Sequence, residues 1–150
     1  MKNTSTSTAY IQRMSKAELH QESRRWLSTL EFWKQDFAFM IHLAEDHFFY
    51  FLSQDKEHTL QPLLVKINEL KQRTLDTETD RIEGHEAELA VIMKSFYFKD
   101  ETAYRQQHAI LAEEMMELEN TYRMLKTEFF RFAKEVLKAE KFQSLKEGTA

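Results

Sequence analysis

Three stretches of this chain return apolar or small residues at alternating steps of four and three. That repeat limits the fold more than any other feature. The first stretch runs through Leu19, Ser23, Trp26, Leu30, Trp33, Phe37, Met40, Ala44, His47 and Phe51. The last runs through Tyr104, His108, Leu111, Met115, Leu118, Tyr122, Leu125, Phe129, Phe132, Val136 and Ala139. Such spacing puts about two residues per seven on one helical seam, whereas a strand alternates its faces every two residues. Between these stretches, Leu60, Leu63, Ile67 and Leu70 begin a third seam, which resumes as Leu75, Glu78, Ile82, His85, Leu89, Ile92 and Phe96. The two halves are out of phase by about one residue, so a kink or slip is expected near 73–79. Thr77 and Asp80 could instead cap a separate helix there.

The punctuation agrees with long helices. Two glycines and one proline in 150 residues leave room for few tight turns. Ser15 and Glu18 have capping-box spacing and predict a helix start. Ser53-Gln54-Asp55 reads as a polar turn, and Pro62 falls in the first turn of a helix starting near Thr59. Lys99-Asp100 is the second expected turn, with Asp100 as N-cap, and Gly148 marks a natural stop. The predicted fold is all-α: an elongated antiparallel up-down-up bundle of three long helices over about 15–53, 59–97 and 100–146. It forms a single domain over 15–147, preceded by a disordered tail over 1–14. With turns at those places, residue i of the first helix lies level with about residue i+88 of the third.

Composition removes several function classes. Charged residues make up 31% of the chain and the net charge is −4, so no basic excess points to nucleic acid. Without cysteine there is no disulfide, thiolate metal site or thiol nucleophile, which is compatible with a cytoplasmic location. The N-terminus has no apolar run of signal-peptide length. No Gly-rich phosphate loop, G-x-S-x-G or P-loop occurs, so neither an enzyme nor a bound cofactor is expected. The most apolar stretch, FAFMIHLAEDHFFYFL at 37–52, is broken by His42, Glu45, Asp46 and His47, so no membrane span is expected.

That stretch carries more apolar surface than one core face needs. Phe37, Met40, Ile41, Ala44, Phe48 and Phe51 share one broad stripe. Phe39, Leu43, Phe49 and Tyr50 face largely away from it, as an interface would, which predicts a homo-oligomer or a helical protein partner.

The histidines suggest a second reading. Ferritin-type centres need Glu-x-x-His on two helices. The nearest match, Asp55-x-x-His58, stands unpaired at a turn, and His42 with Asp46 reads as a surface pair. The register, however, brings His85 and His108 together inside the bundle, with His20 adjoining and Glu88 nearby. A hydrogen-bonded core layer that sets helix register is the expectation. The alternative is a transition-metal site built from His20, His85, Glu88 and His108, with oxygen or redox chemistry. Glu78, Asp80, Glu83, Glu86 and Glu88, level with Glu113, Glu114, Glu117 and Glu119, are expected to form a solvated acidic face. The function expected overall is that of a non-enzymatic interaction or scaffold protein.

Overall fold

The structure is a computed structural model that describes residues 9–55, 58–94 and 101–148. The chain is an all-α helical bundle. Among the described residues, the α-helices from Lys16 onward are α1 (Lys16–Asp46), α2 (Phe48–Gln54), α3 (Leu60–Glu69), α4 (Leu75–Lys94) and α5 (Thr102–Gly148), with a π-helical segment, Leu70–Thr74, between α3 and α4. None of these helices is long and apolar enough to cross a membrane. The predicted single domain over 15–147 is organised as two compact units. Unit 1 contains Met1–Phe32 and Leu75–Asn120, and unit 2 contains Trp33–Thr74 and Thr121–Ala150.

In unit 1 the capping box forms at the expected place. Ser15 Oγ accepts from the Glu18 backbone N–H at 3.1 Å and donates to Glu18 Oε1 at 3.1 Å. Part of the predicted disordered tail is ordered: residues 9–13 are helical. Ile11 and Met14 are buried in a cluster with Leu19, Leu89, Ile92, Tyr104 and Ala109. The reason is both apolar and polar. Two apolar side chains three residues apart share a face. The Arg105 guanidinium then donates at 2.8 Å to each of the carbonyls of Ile11 and Met14 at the end of a short helix. Residues 1–8 of the tail, Phe96 and the turn at Lys99-Asp100 lie outside the described residues.

The phase slip in the middle seam has a physical form. The π segment Leu70–Thr74 accommodates one extra residue in the helix. The seam step from Leu70 to Leu75 is five residues where the repeat calls for four. Leu63, Ile67 and Leu70 before it are buried, and so are Leu75, Ile82, Leu89 and Ile92 after it. Thr77 and Asp80 lie inside α4 and cap nothing, so the slip lies slightly upstream of the expected 73–79.

Unit 2 departs further from expectation. The first helix does not run to residue 53; it stops at Asp46, and His47 takes a non-helical φ of −117°. His47 pairs with Glu140 on α5. Phe51, four residues on, stacks on Phe129 at 5.9 Å and contacts Phe132 at 5.6 Å. Measured along α5, that is a return of about 12–16 Å. Helix α2 is therefore bent relative to α1 at His47, while Leu43 O still accepts from the His47 N–H at 3.2 Å and His47 O from the Phe51 N–H at 3.0 Å. Phe48 does not join the predicted core stripe, and about half of it is exposed. The chain then enters α3 through Asp55, whose Oδ1 accepts from the Thr59 N–H at 2.8 Å and whose Oδ2 accepts from the Leu60 N–H at 3.1 Å. His58 before it adopts a φ of 55°.

Candidate functional site

Two places hold more than generic helix packing, one in each unit. In unit 1, α1 supplies Glu22 and Trp26, α4 supplies His85 and α5 supplies Tyr104 and His108. His85 Nε2 and His108 Nδ1 are 2.9 Å apart, and His108 Nε2 is 2.8 Å from Glu22 Oε1. The carboxylate only accepts, so His108 Nε2–H donates to it. His108 Nδ1 is then the acceptor for His85 Nε2–H, and His85 Nδ1 is left as a buried nitrogen with no hydrogen-bond partner among the described residues. His108 is fully buried under Trp26, with ring centroids 4.6 Å apart. His85 lies flat on Tyr104, at 4.0 Å and 1°. Burial first, and the neighbouring His108 second, push the His85 imidazole down to about 4, so it is neutral near pH 7. Burial and the charges of Glu86 and Glu88 push the Tyr104 hydroxyl above its usual range.

The pairing of His85 and His108 was legible from register. The expected offset between the first and third helices was about 88 residues; Glu22 and His108 are 86 apart in unit 1, as are Asp36 and Tyr122 in unit 2. The four candidate metal ligands are not brought together. His20 Nδ1 pairs with Glu86 Oε2 at 2.6 Å, and Glu88 is exposed. No group of three or more His, Cys, Asp or Glu converges on a metal position among the described residues. Glu22 was missed because it stands beside the seam, next to Ser23, yet it is the group that orients His108.

Two turns along α4 from His85, the expected solvated acidic face has an inward member. Glu78 is buried, and its carboxyl is pushed up to about 7 by burial and then by Glu114. Arg81 Nη1 bonds Glu114 Oε2 at 2.5 Å and is 3.7 Å from Glu78 Oε2, which offsets part of that cost.

The site in unit 2 is an apolar groove of about 380 Å³ between α1–α2 and α3. Ile41, Ala44, Phe48, Leu52, Leu64 and Val65 line it, with Glu45, Asp55, Gln61 and Asn68 at its polar margin. Phe48, Leu52 and Val65 are each about half exposed, and the adjoining Phe49 is 82% exposed. The rings of Phe48 and Phe49 meet edge to face, 6.0 Å apart. Of the predicted interface residues, Phe39 and Phe49 are exposed, while Leu43 and Tyr50 are half-buried. Sequence reasoning missed Phe48, Leu52 and Val65. Phe48 was expected on the core stripe; it lines the groove instead, with Ile41 and Ala44 seven and four residues before it and Leu52 four residues after it.

A third cluster closes on itself. The Tyr122 hydroxyl donates to Asp36 Oδ2, and Lys126 Nζ reaches that hydroxyl at 3.1 Å and Asp36 Oδ2 at 2.8 Å. Every charge there has a partner, and the cluster ties α1 to α5 within unit 2. Compared with protein-family models, with curated proteins and with solved structures, the chain matches none.

Proposed function

We propose that this protein is a non-enzymatic docking module whose groove between α1–α2 and α3 receives an amphipathic helix. The observation that carries this reading is the contiguous apolar rim of Phe48, Phe49, Leu52 and Val65 around an open groove. Scattered exposed apolar residues are ordinary, but a connected patch around a concave floor marks a binding surface. A groove between two helices accepts a third helix through residues spaced three and four apart.

A library of displayed helical peptides tests the proposal. Peptides selected on the wild type should carry apolar residues at steps of three and four. They should bind Leu52→Glu with Val65→Glu at least about ten-fold more weakly, since an unpaired charge would be buried against them. Circular dichroism should show the double variant as helical as the wild type. Selected peptides that bind both proteins equally would reject the groove.

A further inference from the structure

The end of α5 poses the complementary question. Glu140 pairs with His47, where α1 stops. Beyond it α5 runs eight more residues to Gly148, about 12 Å of helix. Every residue from 141 to 148 is exposed. At the 86-residue offset of Glu22–His108 and Asp36–Tyr122, even a straight first helix ending at Gln54 would stop level with about residue 140, so the last eight residues of α5 lie past its end. It is nevertheless not a polar end. Phe142 and Leu145 are one turn apart on one face, and both are 61% exposed. Lys138 and Lys141 flank them. The groove has the opposite character: it is concave and apolar, and Glu45, beside Asp46, stands where α1 ends at its margin.

We propose that the end of α5, through Phe142 and Leu145, docks into the groove of a second copy of this chain. The inference rests on the docking-module reading and names its occupant. The complementarity is of shape and of charge: two apolar knobs one turn apart meet an apolar floor, and Lys138 and Lys141 meet the acidic margin of Glu45 and Asp55. The same chain cannot satisfy itself. Helix α5 is continuous to Gly148, and Phe129, Ala133 and Val136 hold its inner side in the core of unit 2, so its end cannot reach its own groove without unwinding. A second copy presents both halves at once. A reciprocal exchange closes as a dimer, because each partner then fills the other's groove.

Complementation of two broken proteins is the test. One variant, Phe142→Glu with Leu145→Glu, keeps the groove and loses the knobs. The other, Leu52→Glu with Val65→Glu, keeps the knobs and loses the groove. Sedimentation velocity of the wild type at micromolar to hundred-micromolar concentration should show self-association. Each variant alone should dissociate about 100-fold more readily, with unchanged helicity, and an equimolar mixture should regain a mixed complex. The pair Glu45→Lys and Lys141→Glu supplies a second arm that leaves the apolar contact intact: each change alone should weaken association, and mixing the two should restore it. A wild type that stays monomeric throughout would overturn the self-docking proposal. So would variants that associate like the wild type, or a mixture that fails to associate. In any of those cases the displayed-peptide selection still decides the groove separately, since a groove that binds helical peptides but not a second copy sinks only this inference.

Discussion

The two units spend their polar and apolar residues in opposite directions. All four buried polar side chains among the described residues, Ser23, Glu78, His85 and His108, belong to unit 1. Unit 2 buries an aromatic core of Trp33, Phe37, Phe51, Tyr122 and Phe129, and carries its surplus aromatics outside, at Phe39, Phe48, Phe49 and Phe142. A purely apolar heptad seam tolerates a helix sliding by a turn, because one Leu or Phe replaces another. A hydrogen-bonded layer does not, since a slipped histidine is left buried without a partner. Unit 1 therefore has the means to specify one register, and unit 2 carries the exposed apolar groove on which the docking proposal rests.

Core substitutions would break or sharpen that comparison most strongly. In unit 2, Phe129→Ala removes a fully buried ring stacked on Phe51 and should cost about 4 kcal/mol of unfolding free energy. In unit 1, His108→Leu alone should cost about 2–3 kcal/mol, because it strands Glu22 and leaves His85 without its acceptor. Replacing His85 and His108 together with leucine should cost less than His108→Leu alone, since His85 is no longer left unpaired, although Glu22 still loses its partner. Denaturant titration of the three variants measures all of this. A double variant as costly as Phe129→Ala would make the histidines a source of stability, and the contrast between the units would disappear.

Acid should reveal the next effect. The His85 imidazole is pushed down to about 4 from 6.5. Over that range the unfolded chain binds the extra proton, so this group makes stability fall as pH falls from about 6.5 toward 4. The Glu78 carboxyl is pushed up to about 7 from 4.5, so the folded chain binds the extra proton and stability rises as pH falls from about 7 to 4.5. The two oppose each other where their ranges overlap. Glu78→Gln should therefore gain about 2–3 kcal/mol over the wild type at pH 8 and little at pH 4.5, and it should steepen the loss of stability on acidification. Parallel pH profiles for the two proteins would mean that Glu78 is not held in a raised state.

The smallest expected effect concerns the junction between α3 and α4. Deleting the exposed Gln72 shortens the five-residue step from Leu70 to Leu75 to four, converts the π segment to α-helix and leaves both seams in phase. Stability should change by less than about 1 kcal/mol. Deleting Glu83, equally exposed but inside α4, should instead rotate His85, Leu89 and Ile92 by about 100° and collapse unit 1. Equal losses from both deletions would show that the π segment does not store the slip.

The seam residues show how much was legible in advance. Helix period needs no tertiary information: Leu30, Phe37, Met40, Leu111, Phe129 and Val136 were assigned to the interior from spacing alone, and all are buried. Register could also be read, because turn positions and a fixed rise per residue convert sequence distance into height. That arithmetic brought His85 and His108 together. It could not separate the partners of each histidine, because Glu22 and Glu88 were equally near in height and differ only in which way each helix is rotated. The bend at His47 was not legible either. Nothing in FAFMIHLAEDHFFYFL interrupts helix propensity as glycine or proline would, and the seam itself continues through His47 to Phe51. What the sequence determined by itself is therefore what local period and length control: an all-α chain, its inner faces, the start at Ser15 and the one-residue slip before Leu75. Tertiary packing alone decided the rest. Phe51 packs on Phe129 and Phe132, the helix breaks at His47, and Phe48 is left half exposed in the groove against α3.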